Sequence, residues 1–344
     1  MNILSIDLED YFMVTALEKV IKREDWHRCD SRIEKSTRRL LDLLDSASSP
    51  LSGAGIGATF FCLGWVAERF PHLIREIHSR GHEIASHGYD HRRICSMTPK
   101  SFREDVRRSK AILEDLTGAK VSGYRAPSYS ITRKTLWALD ILAEEGFQYD
   151  SSIFPVHHDN YGIPEAPRSP CIVRCGSREI TLEPLAPNGS HGFSHSTSPS
   201  DDAFLRTPGT RALLEFPLST LRFFGQNLPV AGGGYFRFFP LHATLWAIRH
   251  INRKDGLPVI FYLHPWEIDP GQPRVRGIGA KSRFRHYLNL DRTEDRLKIL
   301  LRTVEFSSFG NYIEQHIDRR RMYDPSSFED QNQEQRELLL QLAS

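Results

Sequence analysis

No stretch of this sequence approaches the roughly 18 consecutive apolar residues that a membrane-spanning helix needs, and no repeat or low-complexity tract interrupts it. The first residues lack the basic segment followed by a long apolar one that marks a secretory leader. Met1-Asn2-Ile3-Leu4-Ser5-Ile6 reads instead as a buried strand. Cysteine is scarce: Cys29, Cys62, Cys95, Cys171 and Cys175 are odd in number and lack framework spacing, which argues against a disulfide-stapled extracellular domain. Cys171 and Cys175 are spaced like a metal pair, but no second pair exists. Free thiols in a reducing compartment, by default the cytoplasm, are expected. An excess of one charge is lacking too. Forty-five Lys and Arg against 43 Asp and Glu leave +2, which points away from nucleic acid or an acidic membrane as the main partner.

What is present is ordinary for a globular chain: 40% hydrophobic and 26% charged residues over 344 positions, enough for one large domain or two small ones. The first 150 residues alternate short apolar strands with amphipathic helices. Strands are expected at 1–6, 58–62, 82–86 and 121–124, and helices at 33–47, 65–79, 99–116 and 132–145. This β-α-β-α rhythm implies a parallel sheet or barrel with its functional groups at the C-terminal strand ends. Residues 155–235 are dense in Pro, Gly, Ser and His and read as a loop-rich insertion with short antiparallel strands, folded over the mouth as a lid. A helix returns at 241–252 and a last clear strand at 257–263. One catalytic domain over 1–322 and a polar helix or tail over 323–344 are expected.

Four groups of residues carry chemistry, each placed just after an expected strand. Asp7-Leu8-Glu9-Asp10 puts three acids at one strand end, costly to bury without a cation and otherwise a solvated loop. His87 and His91, three residues apart, can reach one ion from a helical turn or a tight loop. In Arg125-Ala126-Pro127-Ser128 an arginine can hold a carboxylate while a proline-fixed turn presents a backbone N–H. His264 follows the apolar strand 257–263. Taken singly, the acid run, the Arg125 turn and His264 read better as a solvated loop, a structural turn and a satisfied histidine, and the histidine pair reads equally well as coincidence.

In this order, the four groups resemble the motifs of the polysaccharide deacetylase superfamily (NodB homology, carbohydrate esterase family 4) over about 1–150 and again near 257–267. Ala58-Thr59-Phe60-Phe61 and Gly81-His82-Glu83-Ile84-Ala85-Ser86-His87 are also typical of it. Tyr149-Asp150-Ser151-Ser152-Ile153-Phe154-Pro155 and the His158 to Pro164 stretch resemble the branch found with bacterial exopolysaccharide loci, which carries its own C-terminal extension. The resemblance implies a distorted, incomplete (β/α) barrel. It also implies Asp7 as catalytic base, His264 as general acid and one divalent ion, zinc above others, on His87, His91 and an acid. Members carry Asp-Asp or Asp-x-Asp where this chain has Asp-Leu-Glu-Asp, so the acid is Glu9 or Asp10. Arg125-Ala-Pro-Ser replaces the frequent Arg-x-Pro-Tyr.

On this reading the chain is a hydrolase of carbon–nitrogen bonds other than peptide bonds. It removes the N-acetyl group of an amino sugar in a polysaccharide, oligomer or lipid-linked precursor. Amide hydrolysis needs help, because water is a weak nucleophile at neutral pH and a divalent ion can lower its pKa to about 7. Arg125 would orient Asp7, a backbone N–H at Ser128 would face the oxyanion, and Asp150 would tune His264. Tyr129, Tyr161, Tyr235 and Trp266 could line a sugar-stacking groove. Two other readings share these residues: a cyclic-amide hydrolase of the allantoinase kind, and a silent carbohydrate-binding protein.

Overall fold

The computed structural model describes residues 1–47, 53, 55–158, 161–175, 180–185 and 211–317. The expected tail at 323–344 and all of 186–210 lie outside the described residues.

The strand β1 (Asn2–Leu8) is the axis of the fold. It pairs in parallel with β2 (Thr59–Cys62) on one side and β11 (Ile260–Leu263) on the other. From β2 the sheet continues in parallel through β3 (Glu83–Ser86), β4 (Gly123–Tyr124), β5 (Tyr149–Asp150) and β8 (Arg211–Glu215). Antiparallel β6 (Cys171–Cys175) and β7 (Ile180–Pro184) then extend it. The path runs open from β11 to β7, and β12 (Phe306–Ser307) adds to the start of β1. Across the gap beside β8, the Ser219 hydroxyl accepts the Ile260 N–H at 2.8 Å. This is the incomplete (β/α) barrel expected. Among the described residues, no helix is long and apolar enough to cross a membrane.

Strand periodicity explains the two cores. Leu4, Ile6 and Leu8 face outward and pack with Phe60, Cys62, Phe261 and Leu263 under the helices. Ile3 points inward with Phe61, Ala85, Tyr149, Leu214, Ile260 and Tyr262. Phe309, Tyr312 and Ile313 of α10 (Phe309–His316) plug the floor of this interior. Both faces of β1 are buried, as a central parallel strand requires.

The helices follow their signals with instructive exceptions. α1 (Ile33–Ser46) buries Leu40, Leu41, Leu43 and Leu44. The stretch expected as one helix at 65–79 is two, α2 (Gly64–Arg69) and α3 (Pro71–Ser79), because Pro71 cannot donate to the preceding turn and starts a new helix. α4 (Pro99–Thr117) begins with a reciprocal Thr98–Ser101 capping box and ends at left-handed Gly118. The expected helix at 132–145 is a short turn, Arg133–Thr135, followed by α5 (Trp137–Glu144). The stretch 155–235 is not simply a cover, because β8 is a barrel strand and β6 extends the same sheet. It also holds the hairpin β9 (Thr220–Phe223) and β10 (Gln226–Pro229) and the start of α6 (Gly233–Phe238). After α7 (Leu241–His250) and β11 come α8 (Ala280–Tyr287) and α9 (Leu290–Thr303).

Candidate metal centre and active site

The alternation that sends Ile3 inward sends Ser5 and Asp7 inward too. In β11 it sends Ile260, Tyr262 and then His264 the same way. The register pairs Ile6 with Leu263. Asp7 and His264, 257 residues apart in sequence, therefore emerge side by side at the barrel mouth. His264 Nε2 lies 3.9 Å from Asp7 Oδ2.

Asp7 is held by Arg125, which is wholly buried. One guanidinium nitrogen donates to Asp7 Oδ1 at 2.7 Å and to Ser5 Oγ at 2.8 Å. The remaining nitrogens reach the Ser151 carbonyl at 3.0 Å and hydroxyl at 3.1 Å. The guanidinium rests 4.1 Å over the Phe61 ring. With every direction occupied, it is a fixed cation that keeps Asp7 oriented.

Glu9 faces the histidine pair. Its Oε1 lies 3.0 Å from His87 Nε2 and 3.1 Å from His91 Nε2, and all three residues are buried. His87 Nδ1–H donates to the Arg125 carbonyl at 2.7 Å, which leaves the Nε2 lone pair pointing at Glu9. The histidines sit in a loop, not a helix. His91 has φ 59°, and Arg23 clamps its carbonyl and that of Asp90 at 3.0 and 2.8 Å. Burial alone would raise the Glu9 carboxyl. The charges of His91 and His264 and hydrogen bonds from His87 and His91 outweigh it and hold Glu9 well below the carboxylate range. One carboxylate oxygen and two imidazole nitrogens within 4.8 Å of one another suit a divalent cation of the zinc kind.

Asp10 lies elsewhere. Its Oδ2 accepts the Arg32 and Ile33 N–H groups and the Ser31 hydroxyl, and its Oδ1 accepts the Tyr11 N–H. It stabilises the start of α1 and is not among the donor atoms that converge.

His264 does not touch Asp150. Its partner is Glu267, whose Oε2 takes the His264 backbone N–H at 3.0 Å and lies 3.2 Å from Nδ1. Buried Arg237 holds the other Glu267 oxygen at 2.9 Å. Burial opposes the His264 proton, but the Glu9 charge and the Glu267 contact lift it to about 9. Glu267 is raised by burial and drawn down further by Arg237 and His264, to about 2. Glu267 closes the stretch Leu263-His264-Pro265-Trp266-Glu267 that the sequence singles out, but no role for it is legible there, and Arg237 has no signal of its own. The readable signal was the Gly232-Gly233-Gly234 run: a Cβ on Gly233 would sit 1.6 Å from Glu267 Oε2, so α6 approaches only without one.

Asp150 pairs with Glu215 across β5 and β8. Its Oδ1 takes the Ser152 hydroxyl at 2.6 Å, and Ser152 takes the Ala126 N–H at 2.7 Å, so Asp150 supports the Arg125 loop. Within that loop Ser128 and Tyr129 both have positive φ, 54° and 53°, which costs on the order of 1 kcal/mol or more each. The Ser128 hydroxyl meets Thr15, so what Ser128 has left for the mouth is backbone.

The aromatic groove is corrected in part. Trp266 is 5% exposed and sandwiched between the rings of His286 at 4.4 Å and His264 at 5.3 Å, with no free face for a sugar. Tyr129 is buried against Tyr262 and points its hydroxyl at Asp7, 3.4 Å away. Tyr161 and Tyr235 are half-buried and hydrogen-bonded to each other, and Tyr161 stacks on His158. Cys171 and Cys175 occupy opposite ends of β6 as free thiols outside the donor groups.

Residues 29–149 match the polysaccharide deacetylase family, and residues 183–314 match a domain of unknown function (DUF3473). A peptidoglycan deacetylase of Helicobacter pylori is 34% identical over 102 residues, 30% of this chain and 33% of that protein. A peptidoglycan-N-acetylglucosamine deacetylase of Bacillus cereus is 33% identical over 86 residues, 25% of this chain and 31% of that protein. The chain thus spans about a third of the length of these relatives. A Mycobacterium smegmatis protein assigned as a polysaccharide deacetylase superposes over 93% of this chain and 92% of its own, with TM-score 0.53 and 19% identity. The fold is that of the NodB-type deacetylases.

Proposed function

We propose that this chain hydrolyses the N-acetyl group of an amino sugar in a polysaccharide or its precursor, with a divalent cation, zinc above others, held by Glu9, His87 and His91. The observation that carries this reading is the convergence of three groups at one barrel mouth. They are the Glu9–His87–His91 donors, the Asp7–Arg125 pair and the His264–Glu267 pair.

When bound, the cation supplies Lewis acidity, polarising a carbonyl and lowering the pKa of water from 15.7 towards about 7. Asp7, fixed by Arg125, accepts the proton of the attacking water. His264, protonated and oriented by Glu267, gives its proton to the departing sugar nitrogen, so acetate and the free amine result. The backbone at Ser128, held by the Asp150–Ser152 brace, faces the developing oxyanion. Half-buried Tyr161 and Tyr235 are the aromatic surfaces left to meet a sugar. Matching relatives and the family match over 29–149 support the amide of an amino sugar as the bond cleaved. We read 183–314 as the extension that accompanies members acting on exopolysaccharide.

The test is acetate release from an N-acetylglucosamine oligomer by metal-loaded and chelator-stripped protein, alongside metal analysis. One equivalent of metal and chelator-sensitive release are expected. Undiminished release by metal-free protein, or no release by loaded protein, overturns the reading.

A further inference from the structure

Between Asp269 and Asp291 the chain has no acidic residue, yet it carries Arg274, Arg276, Lys281, Arg283 and Arg285. All five are exposed, and among the described residues none has a carboxylate partner. Several arginines elsewhere do have such partners: Arg32 donates to both oxygens of Asp269, and Arg80 reaches Asp42, Asp45 and Glu76. An unneutralised run of like charge repels itself and persists in one place only when the fold holds it there.

The fold does hold it. The Arg237 guanidinium that grips Glu267 also donates to the carbonyls of Arg285, His286 and Leu288 at 2.9–3.0 Å. His286 stacks on Trp266, and Trp266 stacks on His264. The Val275 N–H is tied to the Tyr287 hydroxyl at 2.8 Å, and Arg274 lies 4.2 Å over the Tyr287 ring. Arg285 lies close enough to Tyr161 and Tyr235 to act on their hydroxyls. The strip is thus built onto the same residues that orient His264.

We propose that residues 274–285 form the docking surface for an acidic glycan, so that the N-acetylated substrate carries carboxylates on neighbouring sugars. This rests on the amide-hydrolase reading of the mouth. Four of the five cations are arginine, whose planar fork takes a carboxylate with two parallel hydrogen bonds. Phe284, 55% exposed between Arg283 and Arg285, adds one apolar face for a sugar ring. A single exposed ring is little for membrane insertion. The net charge of +2 gives none of the whole-molecule field expected of a nucleic-acid binder.

The experiment uses a hyaluronan oligosaccharide, which alternates N-acetylglucosamine with a uronic acid, and the same oligosaccharide with its carboxyls reduced to alcohols. Binding is measured on the full chain carrying Asp7→Asn, and acetate release on the unsubstituted chain. The acidic form should bind at least tenfold tighter at low salt, and the preference should shrink at 0.5 M salt. Combining Arg276→Gln, Arg283→Gln and Arg285→Gln should bring the ratio of affinities close to one, with the thermal midpoint checked to exclude misfolding. Equal affinity for both oligosaccharides overturns the proposal. So does equally tight binding of single-stranded DNA or anionic vesicles that the triple substitution abolishes. Acetate release separates the two readings. Release at equal efficiency without a binding preference removes the acidic glycan and leaves the hydrolase. A binding preference without release from either oligosaccharide does the reverse.

Discussion

Two buried acidic sites lie on neighbouring parts of one barrel and behave in opposite ways. At the mouth, burial is overruled by charge: Glu9 is held well below the carboxylate range, Glu267 falls to about 2 and His264 rises to about 9. Between β5 and β8, burial wins. Asp150 is pushed up to about 6 against hydrogen bonds from Glu215 and Ser152, and Glu215 is raised further by burial and by Asp150. Asp150 Oδ2 and Glu215 Oε2 find no other donor, a geometry that a proton shared between them resolves. The difference is the neighbours. Imidazoles and arginines surround the first set, while β-strand backbone and a second carboxyl surround the other. Ionised groups beside cations can move protons and hold metal ions, whereas a carboxyl pair that keeps one proton between its own oxygens braces the strands it joins.

The comparison breaks most visibly at Glu9. Glu9→Gln, His87→Ala or His91→Ala should each remove the metal and at least 10³-fold of activity, read by metal analysis and acetate release. Stoichiometric metal with full turnover in any of them would dismantle the mouth as described. Next comes Asp7→Asn, which should keep the metal and lose about 10²–10⁴-fold in kcat. His264→Ala should lose more on an N-acetyl sugar than on an activated acetate ester, whose leaving group needs no proton. Equal fractional losses would withdraw the acid role.

Glu267→Gln is a smaller step, roughly tenfold. His264 works protonated, so activity falls as pH rises through its pKa. Removing a group that raises that pKa should move the alkaline limb of kcat/KM to lower pH, and an unmoved limb would separate Glu267 from His264.

The brace predicts a stability effect instead. A carboxyl whose folded pKa is raised favours the fold while protonated, and that contribution is lost as pH rises through the folded pKa, about 6 for Asp150 and higher for Glu215. Glu215→Gln should therefore flatten the fall in stability over this window by roughly 1–3 kcal/mol. Denaturant melts at pH 5 and pH 8 would read it, and parallel curves for both proteins would refute a shared proton. The smallest effect belongs to Asp10→Ala, about 1 kcal/mol through the start of α1 with metal content intact. Loss of metal there would return Asp10 to the donor set.

Much of the site was legible because strand ends are legible. Asp7, Glu9, His87, His91, Arg125 and His264 each follow an apolar run with period-2 alternation, and that alternation decides which side chains enter the mouth. The choice between Glu9 and Asp10 was not legible. The two are adjacent and chemically alike, and only the path of residues 31–33 across Asp10 separates them. Asp150 looked like a partner for His264 because both follow strands, but β8 lies beside β5 and supplies Glu215 instead. Trp266 looked like a sugar platform because exposed and buried aromatic rings share one letter.

The sequence by itself determined the rhythm of the barrel, the cap at Thr98 and the candidate residues that gather at the strand ends. These follow from local rules: alternation and a side-chain cap. The tertiary structure alone decided which of them meet. Glu267, the partner of His264, is held from its other side by Arg237, thirty residues earlier, and α6 reaches that position only through Gly232 and Gly233, where a Cβ would collide with Tyr262 and Glu267. Such long-range pairings have no local signature, because the packing that closes the distance also supplies the desolvation that sets the charge of each group.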